Sequence, residues 1–279
     1  MSEPLNAPQI AYWNERAGRN WTALQDRLDA QFAPLTAAAL DAAGITPGLR
    51  VLDVGCGCGA TLLALAERVG PQGHVLGLDV SAPMAERAQA RLSAAGLTQA
   101  AVRLEDAATA ALPPTDLLFS RFGVMFFLDP VAAFAHLRAA MAPGGRLFFV
   151  CWRTLGENPC FTLPISAAEA LLPPDAAPPA PAEAPGPFAF AEAARVTAVL
   201  EAAGWREVAI TPHDAMMPLG PLDQATDTAQ SIGPLSRRLE GSDPALRRPV
   251  AEAVRAALAP HDAGGVNLPA AVWFVQARA

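Results

Sequence analysis

The run VLDVGCGCGATLLALAERV, residues Val51–Val69, limits what this chain can fold into more than any other stretch. Val51–Val54 reads as a short buried strand, and Thr61–Val69 as a helix stopped by Gly70-Pro71. Between them Gly55, Gly57 and Gly59 alternate. Glycine at every second position lets the main chain turn sharply and lets a ligand lie against bare backbone. The helix that follows points its N-terminal N–H groups at the loop, where each charge interaction is worth about 0.3–1 kcal/mol. Alone, the motif is ambiguous. Gly55-x-Gly57-x-x-Ala60 also satisfies the relaxed dinucleotide fingerprint, so a nicotinamide or flavin enzyme is a genuine alternative.

The rhythm around the loop sets the fold class. Two helical stretches are expected at Ala11–Trp21 and Ala23–Ala43, ended by Gly44 and Pro47. Further strands are expected at His74–Leu78, Ala101–Leu104, Asp116–Ser120 and Arg146–Trp152. Helices are expected between them at Pro83–Ala95 and Pro130–Met141, the latter closed by Pro143-Gly144-Gly145. Strands alternating with helices at short spacing imply a parallel sheet covered on both faces, with the strand-to-helix loops on one edge. After Trp152 the rhythm breaks at Arg153–Phe190, which carries PPDAAPPAPAEAPGP. It resumes with a helix at Glu192–Ala203 and a strand at Glu207–Thr211. It breaks again at Pro212–Pro269, with helices at Leu222–Leu239 and Pro244–Leu258, and ends on a strand at Ala271–Ala277. The expected organisation is an N-terminal helical lid over residues 1–46 and an α/β domain over 47–279, with insertions at about 153–190 and 212–269.

Composition excludes some partners. Hydrophobic residues make up 52% and charged residues 17%, which fits a large core. Twenty arginines against 27 acids leave a net charge of −7. A cationic face for nucleic acid is missing; the nearest approach, Arg237–Arg238 with Arg247–Arg248, reads as solvated helix ends. No targeting segment and no run of 18 uncharged apolar residues is evident, so a cytoplasmic enzyme without a transmembrane segment is expected. Cys56, Cys58, Cys151 and Cys160 form no paired metal motif, and no metal is expected. The oligomeric state stays open, a homodimer included.

Three acids tilt the reading of the loop. Asp53 stands two residues before Gly55. A dianionic pyrophosphate gains nothing from a carboxylate there, whereas a ligand with a cationic amino group does. Asp79 ends the second strand, where it can accept both hydroxyls of a ribose. Asp106, in Glu105-Asp106-Ala107 after the third strand, can face an adenine amino group. VLDVGCGCG, GLDVS, LEDA and LRAAMAPGGRLFFVCW, in this order and spacing, resemble the motifs of class I S-adenosylmethionine-dependent methyltransferases. The resemblance covers roughly Ala37–Trp152 well and the remainder more loosely. SRFGVMFFLDP and PGPFAF make the chain similar to small-molecule and quinone-biosynthesis methyltransferases.

The resemblance implies a doubly wound α/β fold, a seven-stranded and mostly parallel sheet whose last strand is antiparallel. It implies S-adenosylmethionine as cofactor, held by Asp53, Gly55, Cys56, Gly57, Gly59, Asp79, Val80, Asp106, Ala107 and Ser120. The expected acceptor is a small, largely apolar molecule. Candidate walls for it are Tyr12, Trp13, Arg121, Phe122 and Phe126, each of which has a purely structural alternative. Methyl transfer needs no nucleophilic side chain, and a base only when the acceptor must lose a proton. Arg121, His213 and His261 are weak candidates for a catalytic role. Two other classes compete: a dinucleotide-dependent oxidoreductase, and a noncatalytic binding protein that keeps the fold.

Overall fold

The computed structural model describes residues 6–173, 181 and 184–279. The first five residues of the expected lid and most of the proline-rich middle of the first expected insertion lie outside the described residues. The helices are α1 (Ala7–Asn14), α2 (Arg16–Ala23), α3 (Gln25–Ala42), α4 (Ala60–Val69), α5 (Ala82–Ala95), α6 (Pro130–Ala139), α7 (Pro159–Ala168), α8 (Ala193–Ala202), α9 (Leu222–Ser231), α10 (Pro234–Arg238) and α11 (Arg247–Leu258). The strands are β1 (Arg50–Val54), β2 (His74–Asp79), β3 (Ala100–Leu104), β4 (Thr115–Arg121), β5 (Met141–Trp152), β6 (Arg206–Gly220) and β7 (Val266–Arg278).

The seven strands form one sheet in the order β3-β2-β1-β4-β5-β7-β6. β1 to β5 pair in parallel, and β7 runs antiparallel to both β5 and β6. This is the doubly wound, mostly parallel sheet expected from the alternation of elements. Its central strands are continuous apolar runs because helices cover both faces. Leu52, Leu117, Leu118, Phe119, Phe149 and Val150 are all buried. Elsewhere in the core, Trp205 donates from Nε1 to the carbonyl of Phe134 at 3.0 Å, so its one polar atom is satisfied. Helix starts and stops follow their local chemistry. Asp129 caps α6 by accepting from the Ala132 N–H, and Gly96 ends α5 at a φ of 66°.

The chain departs β1 toward β2 and β3 on one side and returns to β4 and β5 on the other. The reversal opens a crevice at the carboxyl ends of β1 and β4. Two groups of helices stand over that crevice. One is α1–α2. The other is a cap in which α7 packs on α11, and α11 and α10 pack on α9.

Several boundaries differ from the sequence expectation, and one is the helix expected at Leu222–Leu239, which is split into α9 and α10 at Ile232-Gly233. The N-terminal region holds three helices, not two, because the backbone breaks at Glu15 and at Leu24. β5 starts at Met141 and runs through Pro143-Gly144-Gly145, so those residues lie in the strand and do not close the preceding helix. β6 extends to Gly220 and β7 begins at Val266, so residues 212–220 and 266–269 belong to a long hairpin. Pro212 and Pro218 disguise this strand. They are tolerated because β6 is the sheet edge, where a missing N–H breaks no second ladder.

Candidate active site

The glycine loop turns because Gly55, Gly57 and Gly59 all take positive φ, at 71°, 55° and 87°. Gly55 and Gly57 are also crowded. A Cβ on Gly55 would stand 2.6 Å from Gly123 Cα, and one on Gly57 would meet Met84 Cε at 3.1 Å. The carboxylate of Asp79 fixes the loop to the end of β2. Oδ2 accepts from the Gly57 N–H and Oδ1 from the Ser81 N–H, both at 2.8 Å. The carboxylate keeps acceptor capacity for a further donor. Burial pushes the Asp79 pKa up, and the N–H bonds from Ser81, Gly57 and Val80 pull it back.

Asp53 is fully buried beneath the loop. Its Oδ2 accepts from Thr61 Oγ1 at 2.6 Å, while Oδ1 has no partner. Burial raises its pKa to about 7, partly offset by the Thr61 bond and the Arg121 charge. A carboxylate short of one hydrogen bond here suits a cationic neighbour and opposes a phosphate. Asp106 accepts from Ala108 N–H at Oδ1 and from Asn6 Nδ2 at Oδ2, the latter at 2.7 Å.

One cavity of about 250 Å³ lies above these residues. Gly55, Cys56, Gly57, Asp79, Val80, Asp106 and Ala107 line it, as do Tyr12, Trp13, Arg121, Phe122 and Phe126. Asp53, Gly59 and Ser120 lie behind that lining. Ser120 Oγ donates to the Val54 carbonyl at 2.7 Å and accepts from the Gly123 N–H, which ties β4 to β1. His213 and His261 do not line the cavity. His213 stacks on Phe274 at 4.3 Å along the β6–β7 pair, and His261 is exposed after α11.

Burial raises the pKa of Cys56 well above the thiol range and that of Cys58 to about 11. Both behave as small apolar residues at neutral pH.

Aromatic side chains build the wall at the β4–β5 end. Phe122 stacks flat on Trp152, with centroids 4.2 Å apart and planes 6° from parallel. Phe32 packs near both, and Phe161 meets Trp152 edge-on at 4.9 Å. Phe122 holds a φ of 67°, a strained conformation for a bulky residue, costing about 1–3 kcal/mol. Its N–H bond to the Val150 carbonyl and its stacking on Trp152 hold it there.

The roof is tied down by residues that the sequence did not single out. Asn14 donates to the Val80 carbonyl at 2.7 Å and accepts from the Ala82 N–H at 2.8 Å. Asn6 bridges Asp106 and the Leu128 N–H. Ser81 Oγ donates to the Trp13 carbonyl at 2.7 Å. Asn20 donates to the Ser231 carbonyl, joining α2 to α9, and the Arg237 guanidinium lies over the Tyr12 ring at 5.2 Å. Arg237 therefore belongs to the cavity wall, where the sequence suggested a solvated helix end.

Residues 51–145 match the family model described as "Methyltransferase domain". Over this segment the chain is similar to the class I S-adenosylmethionine-dependent methyltransferases. The match covers β1 to the start of β5, which includes the glycine loop, Asp79, Asp106 and Arg121. The chain is 38% identical to nocamycin O-methyltransferase of Saccharothrix syringae over 42% of this chain and 42% of that protein. It is 37% identical to aklanonic acid methyltransferase DauC of Streptomyces sp. (strain C5), over 44% of this chain and 58% of that one. The chain thus spans about half the length of the curated relatives it matches. Among solved structures, Haemonchus contortus phosphoethanolamine N-methyltransferase 2 in complex with S-adenosyl-L-methionine shares the fold. The TM-score is 0.54 at 17% identity, over 88% of this chain and 52% of that chain. No described helix of this chain is long and apolar enough to cross a membrane.

Proposed function

We propose that this chain transfers the methyl group of S-adenosylmethionine to a small, largely apolar acceptor by in-line displacement, chiefly by positioning. One observation carries the reading: the glycine loop with its acids and the aromatic wall open into the same roofed cavity. When bound, S-adenosylmethionine supplies a methyl already activated by its sulfonium charge. In this reading Asp79 accepts ribose hydroxyls, and Asp106 with Ala107 borders the adenine. Asp53 provides the negative potential that a cationic amino group needs beneath Gly55. Phe122, Phe126 and Trp13 exclude water and align the acceptor. Alignment of this kind contributes up to about 7–11 kcal/mol in favourable intramolecular cases. Among the described residues that line the cavity there is no histidine, in keeping with an acceptor that arrives ionised or needs no base.

The two curated relatives are named for small molecules, nocamycin and aklanonic acid, and this supports a small-molecule acceptor here. The net charge of −7 weighs against nucleic acid. A dinucleotide is disfavoured by the buried Asp53 carboxylate, which would face a pyrophosphate across the loop. The test is a competition. S-adenosylhomocysteine should bind the purified protein and NADH should not, read by calorimetry and by NADH fluorescence. Tight NADH binding displaced by NAD, with no S-adenosylhomocysteine binding, would overturn the reading in favour of an oxidoreductase.

A further inference from the structure

Across the carboxyl edge of the sheet the site residues follow strand order. Asp106 stands after β3, Asp79 at the end of β2, the glycine loop after β1, Arg121 at the end of β4 and Trp152 at the end of β5. The β3–β1 side is therefore acidic. The β4–β5 side is apolar and carries one cation, Arg121, on its strand ends.

That cation is built in and incompletely used. Arg121 Nη1 donates to Thr36 Oγ1 at 2.5 Å, and the guanidinium carbon lies 5.0 Å from the centre of the Phe32 ring. Thr36 is itself fixed, because its hydroxyl donates to the Phe32 carbonyl at 2.8 Å. Nε of Arg121 is buried and has no hydrogen-bond partner. The two acids whose charge reaches it are engaged elsewhere: Asp29 pairs with Arg91 at 2.6 Å, and Asp53 accepts from Thr61. Arg121 forms no ion pair with a described acid. A guanidinium stays charged at every pH a protein meets, and enclosing it unpaired is costly. With Nη1 spent on Thr36, the Nε–Nη2 edge is left, and this edge matches the two oxygens of a carboxylate.

We propose that Arg121 is the anion-binding residue of the acceptor site, and that the acceptor is a planar aromatic carboxylic acid. The flat Phe122–Trp152 pair provides a surface for the ring system, and Arg121, one residue before Phe122, takes the carboxylate. The acids on the β3–β1 side repel the same carboxylate, so the acceptor enters in one orientation. The inference rests on the proposed function, since it names the substrate class of that site.

The test uses the full chain loaded with S-adenosylhomocysteine and two probes of one shape, 2-naphthoate and 2-naphthamide, titrated by calorimetry. Wild type is expected to bind the acid about tenfold or more tightly than the amide. Arg121→Met is expected to lose that preference while keeping its melting temperature and its affinity for S-adenosylhomocysteine. Equal binding of acid and amide by wild type, absence of binding included, overturns the proposal whatever the variant does. So does an Arg121→Met protein that weakens S-adenosylhomocysteine as much as the acid, because the guanidinium would then serve the donor's carboxylate. Wild type that fails to bind S-adenosylhomocysteine overturns the proposed function itself, which separates the two failures.

Discussion

Gly55 and Gly123 touch backbone to backbone: a Cβ added to Gly55 would lie 2.6 Å from Gly123 Cα, and one added to Gly123 would lie 2.3 Å from the Val54 carbonyl oxygen. The loop after β4 therefore rests directly on the glycine loop after β1. Ser120 Oγ closes the same junction by bonding both Val54 and Gly123. This contact holds the two sides of the cavity in one geometry.

Gly123→Ala should accordingly be severe. It forces main chain against main chain, with an overpacking cost of about 1–3 kcal/mol. Gly44→Ala is the control, since Gly44 has a φ of 58° but nothing within 4 Å of a Cβ. Thermal melts should show a drop of several degrees for Gly123→Ala, larger than for Gly44→Ala. Equal drops would mean that the junction yields.

Asp53 gives a pH signature. Burial raises its native pKa to about 7 from an unfolded value of about 3.9. The native state thus holds the proton more tightly than the unfolded chain. Its contribution favours folding fully below about pH 4 and is lost as pH rises through about 7. Asp53→Asn removes the titration. Its melting temperature relative to wild type should therefore climb between pH 4 and 7 and then level off. A constant offset across that window would contradict the burial argument.

The roof depends on Asn14, whose side chain makes two bonds to the main chain around Val80 and Ala82. Asn14→Ala leaves the Ala82 N–H short of its acceptor, a loss of about 1–3 kcal/mol. Hydrogen exchange should quicken in α1 and α2 first, and S-adenosylhomocysteine affinity should fall by about tenfold. Removal of residues 1–22 should raise the KM for both donor and acceptor. Unchanged exchange and unchanged KM values would show that these helices do not roof the site.

The thiols provide a further check. Burial holds Cys58 at about 11 and Cys160 at about 12, and Cys56 and Cys151 higher than an ordinary thiol. All four should resist iodoacetamide at pH 8 in native protein and react on unfolding. Rapid labelling of Cys58, which lines the cavity, would reveal an open roof.

Much of this arrangement was legible in the sequence, for physical reasons that differ by region. β1, β4 and the later part of β5 announce themselves because their residues are largely buried on both faces and so read as apolar runs, whereas β3, at the sheet edge, has no buried residue. The glycine loop, Asp79 and Asp106 are readable because local backbone geometry fixes their positions. The aromatic wall was only half visible. Phe122 and Phe126 stand beside the β4 motif, but Phe32, Trp152 and Phe161 join them across long sequence separations that no local pattern encodes. Asn6 and Asn14 carried no signal, since a single amide on a short helix looks like any surface residue. The β6–β7 hairpin was hidden by Pro212 and Pro218, whose usual meaning is reversed at a sheet edge.

The central claim is that the glycine loop and Asp79 hold S-adenosylmethionine, and calorimetric titration of wild type and Asp79→Asn tests it most directly. The account predicts one molecule bound per wild-type chain, with affinity lowered about tenfold or more in the variant. No binding by well-folded wild type, or identical affinity in the two proteins, would contradict it.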